Sequence, residues 1–154
     1  MSPRGRAATQ RGSAAEREVA RLIGDATGWR VRRKLGAGRK DDQGDLDGVP
    51  DCTVQVVCRT STTDLATAMR TKPAQCESQQ ARAGTRYGVT LARVVPGLWL
   101  ALLTSQQARD YGHRSCICHA ARTEWNGLYL FTFSEWIDIH REAVADLASG
   151  WAAS

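Results

Sequence analysis

Apolar side chains at Val19, Leu22, Ile23 and Ala26 recur at helical spacing behind the capping box Ser13-x-x-Glu16. With Gly28 as the stop, the pattern predicts a helix beginning at Ser13. Ahead of it, residues 1–12 carry Arg, Ser and Gly without apolar periodicity and read as a flexible basic arm. From Trp29 to Leu35 the chain alternates, with Arg30, Arg32 and Lys34 sharing one face of a predicted strand. Residues 36–44 are glycine-rich and polar, a loop leading to a short strand at Asp45-Leu46-Asp47-Gly48. Thr53 to Arg59 is β-branched and mostly apolar, the pattern of a central strand. Asp64 to Ala83 predicts a helix that Pro73 kinks or splits. Tyr87 to Val95 and Leu98 to Leu103 predict a hairpin turning at Pro96-Gly97, with Trp99 in the core.

Beyond Tyr111 the pattern gives a strand near Cys116 to Ala120, another from Leu128 to Phe133, and a helix from Ser134 to Ala148. Thr132-x-x-Glu135 or Ser134 caps that helix. Trp136, Ile137, His140, Val144 and Leu147 lie near one of its faces, with His140 placed at the rim. The order is helix, three strands, helix, two strands, then an appendage.

A chain of 154 residues that is 42% hydrophobic supports one compact core and excludes a wholly disordered protein. The net charge of +5 is unevenly distributed: residues 1–40 hold 11 basic and 3 acidic side chains. That places an expected polyanion-facing surface in the N-terminal third, at Arg4, Arg6, Arg11, Arg30, Arg32, Lys34, Arg39 and Lys40. Eighteen of the 21 basic residues are Arg, which suits bidentate phosphate contact and follows equally from a GC-rich genome. For Arg30, Arg32 and Lys34, a solvated edge strand blunted by charge is the other reading.

Five cysteines form an odd set too sparse for a disulfide scaffold, and no apolar leader follows the basic start, so a reducing cytoplasm is the expected setting. The apolar run Leu98 to Leu103 is far too short for a bilayer, which sets a membrane role aside. His113, Cys116, Cys118 and His119 do not read as a zinc site, because Cys-x-Cys is not the usual knuckle spacing.

Phosphodiester hydrolysis near neutral pH is commonly managed by carboxylates that converge on Mg²⁺. Asp45 after a glycine-rich loop, Gln55 on the following strand and Glu16 on the preceding helix are the candidates for such a point at a sheet edge. Glu16 also completes a capping box, and Asp45 and Asp47 beside Gly48 also suit a plain turn.

The runs Glu16-Arg17-Glu18-Val19 and Gly44-Asp45-Leu46-Asp47-Gly48-Val49-Pro50, followed by a strand at Val54 to Cys58, resemble the PD-(D/E)XK nuclease superfamily. More narrowly they are similar to the Holliday-junction-resolvase-like endonucleases of actinobacterial phages. The resemblance covers roughly Gly12 to Tyr111. It implies an α/β fold with a restriction-endonuclease-like mixed sheet flanked by helices over residues 13–111, whereas residues 112–154 have no counterpart in that family and read from their own pattern as an α+β appendage.

It also implies Mg²⁺ held by Asp45, Glu16 and Gln55, with duplex or branched DNA as substrate and a homodimer as the acting form. Where the family carries Glu-x-Lys, this chain has Gln55-Val56-Val57, which removes one negative ligand and the catalytic ammonium. Arg59 and Lys72 are candidate replacements for the ammonium, and Asp47 and Asp51 for the carboxylate. The alternative expectation is a catalytically inactive nuclease fold with a structural or protein-interaction role, for example in a phage particle, using Trp125, Trp136 and Trp151 as contacts.

Overall fold

The computed structural model describes residues 3–35, 43–112 and 123–150. Helix α1 runs unbroken from Pro3 to Thr27. The expected arm is therefore helical from its third residue, and Ser13 lies inside the helix instead of capping it. Ala7, Ala8, Gln10, Arg11, Ala14 and Ala15 are good helix formers, and extending an existing helix costs far less than nucleating one. Pro3 suits a first turn, where its missing N–H costs nothing.

Strands β1 (Arg32–Arg33) and β2 (Leu46–Asp47) form a small antiparallel ribbon, with Arg32 opposite Asp47 and Arg33 opposite Leu46. The expected seven-residue strand is thus cut to two residues. Trp29 and Val31, which supply half of its alternation, pack against the main core instead.

The main sheet has the order β3-β4-β5-β7-β6. Strand β3 (Cys52–Val57) lies parallel to β4 (Tyr87–Val95), and helix α2 (Thr62–Ala83) is the crossover between them. Strand β3 ends the sheet rather than occupying its middle. It still reads as central because α1 and α2 both pack on it and five of its six residues are buried. Helix α2 begins at Ser61, whose side chain accepts from Asp64 N, and ends at Gly84. It runs on through Pro73 as one element, with Pro73 buried between Met69 and Cys76. Burial on both sides offsets the one hydrogen bond that proline removes.

Strand β5 (Leu98–Thr104) closes the expected hairpin at Pro96-Gly97, and Trp99 is buried. Helix α3 (Ser105–Asp110) follows behind the capping box Thr104/Gln107, which the sequence reading passed over. Strands β6 (Thr123–Trp125) and β7 (Leu128–Thr132) lead to helix α4 (Phe133–Ala148), capped by Thr132 and Glu135. This segment is no appendage. Strand β7 pairs with β5 over five positions, and Phe131, Trp136 and Ile137 enter the same core as Val19 and Ile23. The reason is geometric: β5 would otherwise leave a long apolar edge unpaired.

The expected strand near Cys116 to Ala120, the His113 to His119 cluster, Arg39, Lys40 and Trp151 lie outside the described residues. Among the described residues no helix is long and apolar enough to cross a membrane.

Candidate functional site

Two glycines bring Asp45 to β3. At Gly44, φ is +99°, and a Cβ would stand 2.9 Å from Thr53 Cγ2 and 3.0 Å from Val54 O. At Gly48, φ is +93°, and a Cβ would fall 2.1 Å from the carbonyl of Arg30. Only glycine permits either approach. Between them Asp45 is clamped by its backbone: its N–H donates to Val54 O and its carbonyl accepts from Lys34 N, each at 2.8 Å.

The Asp45 side chain is buried, and its Oδ2 accepts two N–H groups, from Val56 N at 2.6 Å and from Gln55 Nε2 at 2.5 Å. Gln55 is also buried, and its Oε1 has no hydrogen-bond partner among the described residues. Both polar atoms of Gln79 and the hydroxyl of Thr90 share that condition, and Thr90 is the β4 residue paired with Gln55.

Glu16 goes elsewhere. Its Oε2 accepts from the Arg33 guanidinium, so the helix acid ties α1 to β1. Of the three expected site residues, the structure joins Asp45 to Gln55 by a direct bond and commits Glu16 to an arginine. Asp47 faces Arg32 at 3.9 Å and Lys34 at 3.6 Å. Asp51 is a turn residue at φ 47°, accepting from Arg86 N through its side chain. The candidate replacements for the ammonium are also engaged away from Asp45. Lys72 Nζ donates to Gln75 Oε1 at 2.8 Å, and Arg59 Nη1 to Cys58 O at 2.9 Å. Val57, where the resemblance led to an expected lysine, is buried in the apolar layer with Leu65, Ala68 and Met69.

These residues do not fit a magnesium centre. Mg²⁺ requires near-octahedral oxygen ligands, one or two of them carboxylates. Here Asp45 Oδ2 is already an acceptor for two donors, Gln55 turns its nitrogen toward it, and Glu16 is neutralised. Among the described residues, no three His, Cys, Asp or Glu side chains gather as a metal-binding group.

The basic surface also differs from its expected layout. Arg32, Arg33 and Lys34 all have acidic neighbours. Arg6, Arg11, Arg17 and Arg30 are exposed and form no ion pair among the described residues. Arg4 lies on α1 as well. Arg6, Thr9, Gln10, Ser13 and Arg17 line a groove of about 330 Å³ along that helix. Their spacing of i, i+3, i+4, i+7 and i+11 is one helical stripe. Arg17 was not singled out from the sequence, although continuing the helix back to Pro3 places it there.

Two networks, one half-buried and one buried, were also missed. Glu18 accepts from Arg93 Nη1 through Oε2 and from Trp99 Nε1 through Oε1, both at 3.0 Å, joining α1 to β4 and β5. His140 is fully buried rather than at a rim, between Tyr111 Oη at Nδ1 and Pro50 O at Nε2. Burial pushes its pKa down to about 4, the Pro50 carbonyl opposing. Trp136 stacks on His140 and is wholly buried, so it offers no partner contact, while Trp125 is half-buried under Arg70.

Compared with protein-family models, curated proteins and solved structures, the chain finds no match in any of the three.

Proposed function

We propose that this protein binds nucleic acid through the phosphate backbone, on a restriction-endonuclease-like mixed α/β fold that does not hydrolyse it. The observation that carries the reading is the α1 stripe of Arg6, Thr9, Gln10, Ser13 and Arg17, where no side chain is acidic and each carries an N–H or O–H, the Thr9 hydroxyl directing its own to the Gly5 carbonyl. Two guanidiniums with the neutral donors of Gln10 and Ser13 between them along one helix suit successive phosphates and read no base sequence. The helix, small ribbon, β3-α2-β4 crossover and Gly-Asp-x-x-Gly-x-Pro segment support the fold assignment. The two N–H donors on Asp45 Oδ2, the Arg33-bound Glu16 and the buried Val57 support the loss of hydrolysis.

The test is fluorescence anisotropy with labelled duplex and four-way junction across a salt series, with a parallel cleavage assay in Mg²⁺. The expected result is salt-sensitive binding, weak dependence on sequence, and no cleavage. A two-fold dimer would show as binding of two subunits per junction. Absence of binding at low salt refutes the reading. Metal-dependent cleavage abolished by Asp45→Ala refutes its second half.

A further inference from the structure

We infer that the Gln55 amide does for Asp45 what a divalent cation does for a nuclease carboxylate, so that this position takes no cation in the native chain and Gln55→Glu creates a divalent site. The inference rests on the Asp45–Gln55 geometry alone and stands or falls separately from nucleic-acid binding.

A carboxylate as buried as Asp45 is strongly disfavoured unless a proton, a cation or N–H donors compensate its charge. Here donors do so: Gln55 Nε2 and Val56 N both point at Oδ2. The amide's orientation shows what governs it. Gln55 leaves its Oε1 buried without a partner among the described residues while its nitrogen faces the acid. Turning the amide over would bring oxygen against a charged oxygen, so the attraction to Asp45 fixes the arrangement. A metal entering would have to break this bond and would gain one anionic ligand and one neutral carbonyl. Glu16 cannot add a second charge without abandoning Arg33.

Glutamate at position 55 has the same length and shape as glutamine but reverses this balance. Two buried carboxylates would then meet in direct contact, a pair relieved only by a shared proton or a cation. The native side chain thus keeps the pocket indifferent to metal, and its substitution makes stability depend on metal.

The probe is Mn²⁺ alone, which binds oxygen sites more tightly than Mg²⁺ and broadens nearby NMR signals. In the native protein, the Val56 amide resonance is expected to stay sharp on Mn²⁺ addition, and the melting temperature to be the same in EDTA and in Mn²⁺. Gln55→Glu is expected to melt about 5 °C or more below the native protein in EDTA at neutral pH, and to regain at least half of that in Mn²⁺. Asp45→Asn with Gln55→Glu is expected to ignore the ion. Broadening of Val56 in the native protein that Asp45→Asn removes overturns the inference. So does a Gln55→Glu protein that melts like the native one and ignores Mn²⁺. Should that variant fail to fold in either condition, the native-protein spectra decide alone.

Discussion

His140 Nε2 stands 3.0 Å from the carbonyl of Pro50, ninety residues earlier, so the last helix holds the end of the segment that carries Asp45. The other ring nitrogen faces Tyr111 Oη at 3.1 Å, and Trp136 Nε1 donates to that same oxygen. With N–H at Nε2 and the phenol donating to Nδ1, a neutral imidazole satisfies each polar group in the run from Trp136 through Tyr111 and His140 to Pro50.

A pH dependence follows. Because burial lowers the His140 pKa from 6.5 to about 4, the unfolded chain binds the proton more readily. Stability from this site is fully present above pH ~6.5 and falls as the pH drops toward ~4, by at most about 3 kcal/mol. Urea midpoints for the native protein and His140→Gln measure it. The variant is expected to be less stable at pH 7 and to show a shallower slope between the two values. Equal slopes would remove His140 as the source.

Gly48→Ala places a methyl group 2.1 Å from the Arg30 carbonyl at a φ of +93°. Both neighbours are backbone, so neither yields cheaply, and a loss of more than about 2 kcal/mol is expected. Gly28, also at positive φ but with nothing within 4 Å, is the control. Gly28→Ala is expected to cost about 1 kcal/mol, since only backbone strain remains. Chemical denaturation of the two variants gives the comparison.

Glu18 bonds Arg93 and Trp99 at once, whereas Arg21 and Asp25 form an exposed pair along one helix. Glu18→Ala is expected to cost about 1–3 kcal/mol, because it strips partners from a half-buried guanidinium and a buried indole. Asp25→Ala is expected to cost under about 0.5 kcal/mol. A double-mutant cycle between Glu18 and Arg93 should return a coupling that the Arg21–Asp25 cycle lacks.

For nucleic acid, Arg6→Ala and Arg17→Ala are each expected to lower the slope of log affinity against log salt by about 0.9. Arg32→Ala should change it less, since its guanidinium already faces Asp47. Slopes that respond to Arg32 and not to Arg6 or Arg17 would move the contact surface back to the ribbon.

The local pattern was sufficient at several elements that neighbouring residues decide, though not at Ser13, whose capping-box spacing lies inside α1. Helix α2 with its Gly84 end, the hairpin at Pro96-Gly97, the Thr132/Glu135 cap and the turn glycines around Asp45 are all written in short spacings. Spacing also brought Asp45 and Gln55 into one proposed site, and the fold joins them.

What the tertiary structure alone decided involves partners distant in sequence. Periodicity shows that Glu16 and Glu18 share a helix, but not that Arg33 claims one while Arg93 and Trp99 claim the other. Composition shows an Arg-rich start, but not that acids pair with the ribbon's basic residues while Arg6, Arg11 and Arg17 of α1 form no ion pair among the described residues. Residues 123–150 look detached along the chain because their partners, β5 and α1, are far upstream; pairing of a sheet edge and burial of Trp136 make them part of one core. Burial and charge pairing are properties of the folded surface, and a linear pattern records which side chains are available, not which ones meet.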